Sequence, residues 1–233
     1  MKTKLNPLRK LLLLAVGVLA LAALPVAHAV PTAVLRISDG LGHTVTVADQ
    51  GSGDQSNSEG AVTFNGYIGN FFLNVSTGIS KPLLGSQTWP LLDLSSVNVS
   101  GATGGTLTIL FSDNNFGASA GGVMASIGGT SYGTVSYSTY YDASNSLLAT
   151  SSLMTSQGLL GGVFSGSAYS ELALTDPYSL TQKLMITHSG IGATSFNAEL
   201  KVPDGGSTVA LLGAVLVGLE GFRRKLRGAF KIV

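Results

Sequence analysis

Between residues 34 and 201 the apolar side chains recur at every second position, the period of a strand with one buried face. Leu107, Ile109 and Phe111 alternate with Thr106, Thr108 and Ser112. Val135, Tyr137, Thr139 and Tyr141 form a second row, Leu180, Leu184 and Ile186 a third, and Phe196, Ala198 and Leu200 a fourth. Val62, Phe64 and Ile68 share a face with Gly66, and further strands are expected near Val34–Ile37, Thr44–Val47, Phe71–Ser76 and Asp93–Val99. Ser38-Asp39-Gly40, Gly51-Ser52-Gly53-Asp54, Gly104-Gly105, Ser112-Asp113-Asn114-Asn115 and Gly128-Gly129 read as turns between them. The segment Asn145–Leu160 lacks clean alternation and is where a helix would fit, and Gly51–Gly60 reads as a surface loop. The expected fold is all-β, an antiparallel β-sandwich of roughly nine or ten strands. It is flanked by an N-terminal signal helix and a C-terminal apolar helix.

The two ends break the alternation. Lys2, Lys4, Arg9 and Lys10 precede an unbroken apolar and glycine run from Leu11 to Leu24, then Pro25 and the small-residue site Ala27-His28-Ala29. A basic start, a short apolar core and an A-x-A ending are the three parts of a signal peptide, too short to span comfortably as a permanent helix. Residues 1–29 are therefore expected to be removed by signal peptidase after Ala29, an uncleaved signal anchor being the alternative. At the other end Val202-Pro203-Asp204-Gly205-Gly206-Ser207-Thr208 leads into the apolar stretch 208–222, and Arg223, Arg224, Lys225 and Arg227 follow in the basic tail 223–233. Proline keeps the short motif out of a helix, the glycines leave its backbone accessible, and the arginines fix the cytoplasmic side. At ~1.5 Å per residue the apolar stretch gives roughly 22 Å of helix against a hydrocarbon core of ~30 Å. Such a span is marginal, and Glu220 near its end adds cost unless it reaches water.

This order of motif, apolar helix and basic stop resembles the PEP-CTERM class of sorting signals, closest to its VPDSG-type variant. The resemblance covers about thirty C-terminal residues together with the signal peptide. It implies that an exosortase-like membrane protease recognises Val202, Pro203, Asp204, Gly205 and Gly206 and processes the protein during export. Gly205 departs from the usual pattern and Gly228 to Val233 run past the basic cluster. A plain C-terminal membrane anchor remains the alternative. The body between these signals is residues 30–201.

Charge sharpens the division. The body keeps only Arg36, Lys81, Lys183 and Lys201 against ten acids from Asp39 to Glu199, so it lacks the basic face that nucleic acid binding needs. No cysteine occurs in the sequence, which excludes disulfides, thiolate nucleophiles and thiolate metal sites.

Candidate chemistry is sparse. His43 follows a glycine-rich turn, and His188 shares parity with Leu184 and Ile186 near a strand end, where it reads as a structural histidine. No HExxH spacing occurs and no G-x-S-x-G elbow between a strand and a helix stands out, and the protein is expected not to be an enzyme. A secreted hydrolase would require His43 or His188 to meet a carboxylate in a pocket. No cofactor is expected; calcium is the alternative, offered by Asp39, Asp49, Asp54 and Glu59, with Asp113-Asn114-Asn115 as a second oxygen-rich turn. Trp89 in a loop and Tyr140, of opposite parity to Tyr137 and Tyr141, are the candidate ligand-binding aromatics, against the plain reading that both pack.

The expectation is an exported structural or adhesive protein of the cell surface or extracellular polysaccharide matrix. It would pass transiently through the inner membrane and meet signal peptidase, the secretion machinery and an exosortase-like protease. The alternative is a surface-displayed carbohydrate-binding module with extracellular polysaccharide as its partner.

Overall fold

The computed structural model describes residues 32–119, 121–203 and 215–217. The signal peptide with Ala27 and Ala29, the motif residues Asp204, Gly205 and Gly206, and the basic residues Arg223, Arg224, Lys225 and Arg227 lie outside the described residues. Of the apolar stretch 208–222 only residues 215–217 are described, as helix. No helix among the described residues is long and apolar enough to cross a membrane.

Ten strands follow one another, all paired antiparallel: β1 (Val34–Ser38), β2 (Thr44–Ala48), β3 (Ala61–Ile68), β4 (Phe71–Ile79), β5 (Leu91–Gly101), β6 (Gly105–Phe116), β7 (Val123–Asp142), β8 (Ser152–Ser170), β9 (Tyr178–His188) and β10 (Gly192–Lys201). Their hydrogen-bonded order is β2-β1-β6-β9-β7-β10-β5-β4-β3, with β8 along the other side of β7. β7 makes this sheet into a sandwich. Its C-terminal half, Thr134–Asp142, pairs with β9, whereas Met124–Ser131 pairs with β10. At the junction Gly133 lies so close to the Thr187 carbonyl that a Cβ would overlap it. The register with β8 slips at the same place, between Ser131 and Val135, so one strand bends from one layer into the other.

The alternating rows read from the sequence are the two inner faces. Leu35 and Ile37 of β1, Leu107, Ile109 and Phe111 of β6, Leu180, Leu184 and Ile186 of β9, and Val135 and Tyr137 of β7 are fully buried in one layer. Leu73 of β4, Leu92, Leu94 and Val97 of β5, and Leu200 of β10 are fully buried opposite them. Each large aliphatic or aromatic side chain so enclosed contributes ~1.5–3 kcal/mol. The faces touch: a Cβ at Gly78 on β4 would overlap the Phe111 ring on β6.

Three local readings are corrected. Gly128-Gly129 is strand rather than turn, because β10 comes so close that a side chain at Gly129 would strike the Ser195 carbonyl and Phe196. Asn145–Leu160 contains a turn and the start of β8, not a helix. Asp113-Asn114-Asn115 lies within β6, where a bulge between Asp113 and Phe116 and a positive φ of 58° at Asn115 absorb its irregularity.

Asp113 is held there by a closed polar network. Its carboxylate is wholly buried and accepts from Lys81 Nζ at 2.8 Å and Ser80 Oγ at 2.7 Å on one oxygen. The other oxygen accepts from the Thr32 hydroxyl and, at 2.8 Å, from the Asn114 amide. The Lys81 ammonium also donates to the Asn114 carbonyl at 2.6 Å and stands 4.6 Å from the centre of the Phe116 ring. A second tie crosses the layers, where Gln182 Nε2 donates to Tyr137 Oη at 2.7 Å and to the Ala198 carbonyl at 3.2 Å, while Tyr137 Oη donates to the Glu199 carbonyl at 3.1 Å. Burial pushes the Tyr137 phenol well above its ordinary pKa, so it remains a donor.

Candidate functional site

The polar residues on the outer face of the β3-β4-β5-β10-β7 layer are brought together by strand register. Asn98 on β5 stands opposite Ser195 on β10, Ser195 opposite Thr130 on β7, and Thr130 opposite Val163 on β8. Directly paired residues project to the same side, so this row runs about 14 Å across four strands at ~4.8 Å spacing. A neighbouring row sets Phe72 on β4 opposite Ser100 on β5 and Ser100 opposite Ala193 on β10. Together they floor an open groove of about 360 Å³ lined by Phe72, Asn74, Asn98, Ser100, Thr130 and Ser195, together with Val99, Ala193 and Thr194.

The groove is neutral and amphipathic. Amide and hydroxyl side chains offer donors and acceptors in pairs. At one border Tyr67 and Phe72 face each other across β3 and β4, ring centroids 4.7 Å apart, and Tyr67 is 73% exposed. At the other border Val163 is 89% exposed. Further along the sheet Asp93, Glu199 and Ser126 form another cross-strand row. Burial, and secondarily the Glu199 carboxylate opposite, push the Asp93 carboxyl up to about 6.

The aromatic candidates read from the sequence do not meet here. Trp89 lies in the turn before β5, its amide donating to Ser86 Oγ at 3.0 Å, and is half exposed. Tyr140 is half-buried on β7 in the other layer, paired with Leu153 and Thr181. Neither lines the groove. The groove arises where strands from distant parts of the sequence are paired. Asn98 and Ser195 share no local motif that announces them.

The acidic candidates each serve their own loop. Asp39 accepts from the Leu41 and His43 amides and lies 2.6 Å from His43 Nδ1. Burial would raise its pKa, but these contacts, led by the Leu41 amide, bring it below the ordinary carboxylate value. Asp49 accepts from the Gly60 amide at 2.7 Å, and burial raises its pKa. Asp54 accepts from the amides of Gln50, Ser56 and Thr63, and Glu59 is exposed. Among the described residues no three His, Asp or Glu side chains are grouped so as to hold a metal ion.

The histidines differ. His43, 63% exposed, pairs with Asp39 in a surface turn, and among the described residues no hydroxyl bonds its ring. His188 is buried at the end of β9, with Nε2 2.8 Å from Thr194 Oγ1, and burial lowers its pKa. At the foot of β10, Val202 is fully buried and its amide donates to the Pro90 carbonyl at 3.0 Å. The Pro203 carbonyl accepts from Ser119 Oγ at 3.3 Å.

Residues 201–226 match the family model of the VPDSG-CTERM motif, so the C-terminus carries a sorting signal of the PEP-CTERM-like class. No curated protein matches this sequence. Among solved structures it is similar to the K3 cleaved adhesin domain of Lys-gingipain from Porphyromonas gingivalis w83, at 11% identity over 46% of this chain and 74% of that one, with a TM-score of 0.30. It is also similar to the C-terminal CBM6 of LamC from Zobellia galactanivorans, at 15% identity over 44% and 78%, TM-score 0.27. CsCBM6-3 from Clostridium stercorarium, solved in complex with cellobiose, matches at 10% identity over 62% and 88%, TM-score 0.28. At such scores the functional reading rests on this protein's own residues.

Proposed function

We propose that this protein, ending in a VPDSG-CTERM sorting segment, is an exported structural or adhesive protein of the cell surface or extracellular matrix. In this reading an exosortase-like membrane protease processes it after a transient stage in the inner membrane. The single observation that carries this reading is the C-terminal match at residues 201–226. An apolar stretch and the basic run Arg223-Arg224-Lys225 follow the short motif there, and the opposite end carries the basic, apolar and Ala27-His28-Ala29 segments that read as a signal peptide. Its test is fractionation of cells expressing the full-length protein: the body is expected outside the inner membrane, and recovery only from the cytoplasm would overturn it.

The groove favours one kind of contact for the body, a neutral glycan. Amides and hydroxyls in a row can bond successive sugar hydroxyls, and the Tyr67–Phe72 edge offers an aromatic face on which a sugar ring can lie. The nearby Asp93–Glu199 row disfavours acidic polysaccharide by like-charge repulsion. Affinity electrophoresis of the purified body in gels containing neutral or uronate-rich polysaccharide tests this. Retardation by the neutral polymer, lost in Tyr67→Ala, is expected; retardation only by the acidic polymer would refute it.

The same reading treats the body as non-catalytic. Asp39 Oδ1 accepts from two backbone amides of its turn while Oδ2 faces His43 Nδ1, and the His43 ring of this pair is largely exposed. Release of reducing sugar or of chromogenic ester products by the purified body, abolished in His43→Ala, would contradict it.

A further inference from the structure

We infer that Val202 and Pro203, the first residues of the sorting motif, belong to the folded body, so that processing cuts at a peptide bond beyond Pro203 and leaves both residues on the released product. The inference rests on the reading of residues 201–226 as a processed sorting signal.

Lys201, the last residue of β10, is paired on both sides, with Leu91 of β5 and Met124 of β7. The backbone does not leave the fold there. Val202 has no exposed surface and its amide continues the ladder onto the Pro90 carbonyl. Pro203 is fastened in turn, because Ser119 donates to its carbonyl while the Ser119 backbone is bridged to Leu174 by two hydrogen bonds. The valine side chain belongs to the same buried cluster as Leu200 and Phe116.

A protease must draw several residues of extended backbone into its cleft, and susceptibility to cutting follows the burial and hydrogen bonding of that backbone. Reaching the bonds on either side of Val202 in the folded protein would require removing it from the core and breaking its bond to Pro90. Hydrolysis at a peptide bond beyond Pro203 adds the hydroxyl of one water to the acyl carbon and its proton to the departing amine. The membrane segment leaves without disturbing β10.

Intact mass and C-terminal peptide mapping of the protein released by its natural host would locate the cut. A product that keeps Val202 and Pro203 and lacks Arg223–Val233 is the expected result. A product ending at or before Val202 would overturn the inference while leaving the sorting reading intact. Retention of Arg223–Val233 would instead remove the sorting reading, and this inference with it. Val202→Ala separates structure from recognition: the melting temperature should fall by several degrees while the tail is still removed. An unchanged melting temperature with processing lost would make Val202 a recognition residue and contradict its place in the fold.

Discussion

Two regions of this sandwich are built from the same polar residue types and used in opposite ways. Around Asp113 the hydroxyls of Thr32 and Ser80, the Asn114 backbone and the Lys81 ammonium close on one another inside the core. On the outer face, Asn74, Asn98, Ser100, Thr130 and Ser195 line an open groove. Buried polar groups stabilise a fold only when every member has a partner. Polar groups on a concave surface can exchange water for a ligand at little cost to the fold. The contrast separates residues that hold the body together from residues that can give it a partner.

The largest effect should come from breaking the closed network. Lys81→Met leaves the Asp113 carboxylate buried without its counter-charge and is expected to cost ~3–5 kcal/mol, read by urea denaturation of the body. A loss below ~1 kcal/mol would mean that water reaches Asp113 after all. Next comes the tie between layers: Tyr137→Phe removes the hydroxyl shared by Gln182 and the Glu199 carbonyl, at ~1–3 kcal/mol in the same measurement. The groove should behave in the other way. Ser195→Ala and Tyr67→Ala are expected to change stability by less than ~0.5 kcal/mol, yet to weaken retention on neutral polysaccharide severalfold. Unfolding by either change would erase the distinction between the regions.

The smallest effects are pH-dependent and opposite in sign. The His188 pKa lies below the ordinary histidine value of 6.5 in the fold. The unfolded state therefore binds the proton more readily, and this contribution to stability, present at neutral pH, falls as pH drops through 6.5. The Asp93 pKa is raised from 3.8 to about 6. The folded state then holds the extra proton between those values, and this contribution grows as pH falls from 6 towards 3.8. Melting curves of His188→Gln and Asp93→Asn across this range should tilt in opposite directions relative to the parent; parallel curves would mean that neither group is perturbed.

What is legible in the sequence follows the range of the interactions. Leu107, Ile109 and Phe111 announce a buried face because strand period is a local property, and the sorting segment is legible because its parts are contiguous. Asp113 reads as a turn residue in sequence because its partners Thr32 and Lys81 are far away along the polypeptide. Gly129 reads as a turn residue too, because its need for glycine is set by Ser195 and Phe196 on β10. The groove is invisible for the same reason, since Asn98, Ser195 and Thr130 become neighbours only through pairing of β5, β10 and β7.

The most direct test of export and sorting is the mass and both terminal peptides of the protein taken separately from membrane and medium. The account predicts a released product beginning at Val30 and lacking Arg223–Val233. A product that keeps Arg223–Val233 and stays in the membrane would contradict it and make the C-terminus a plain anchor.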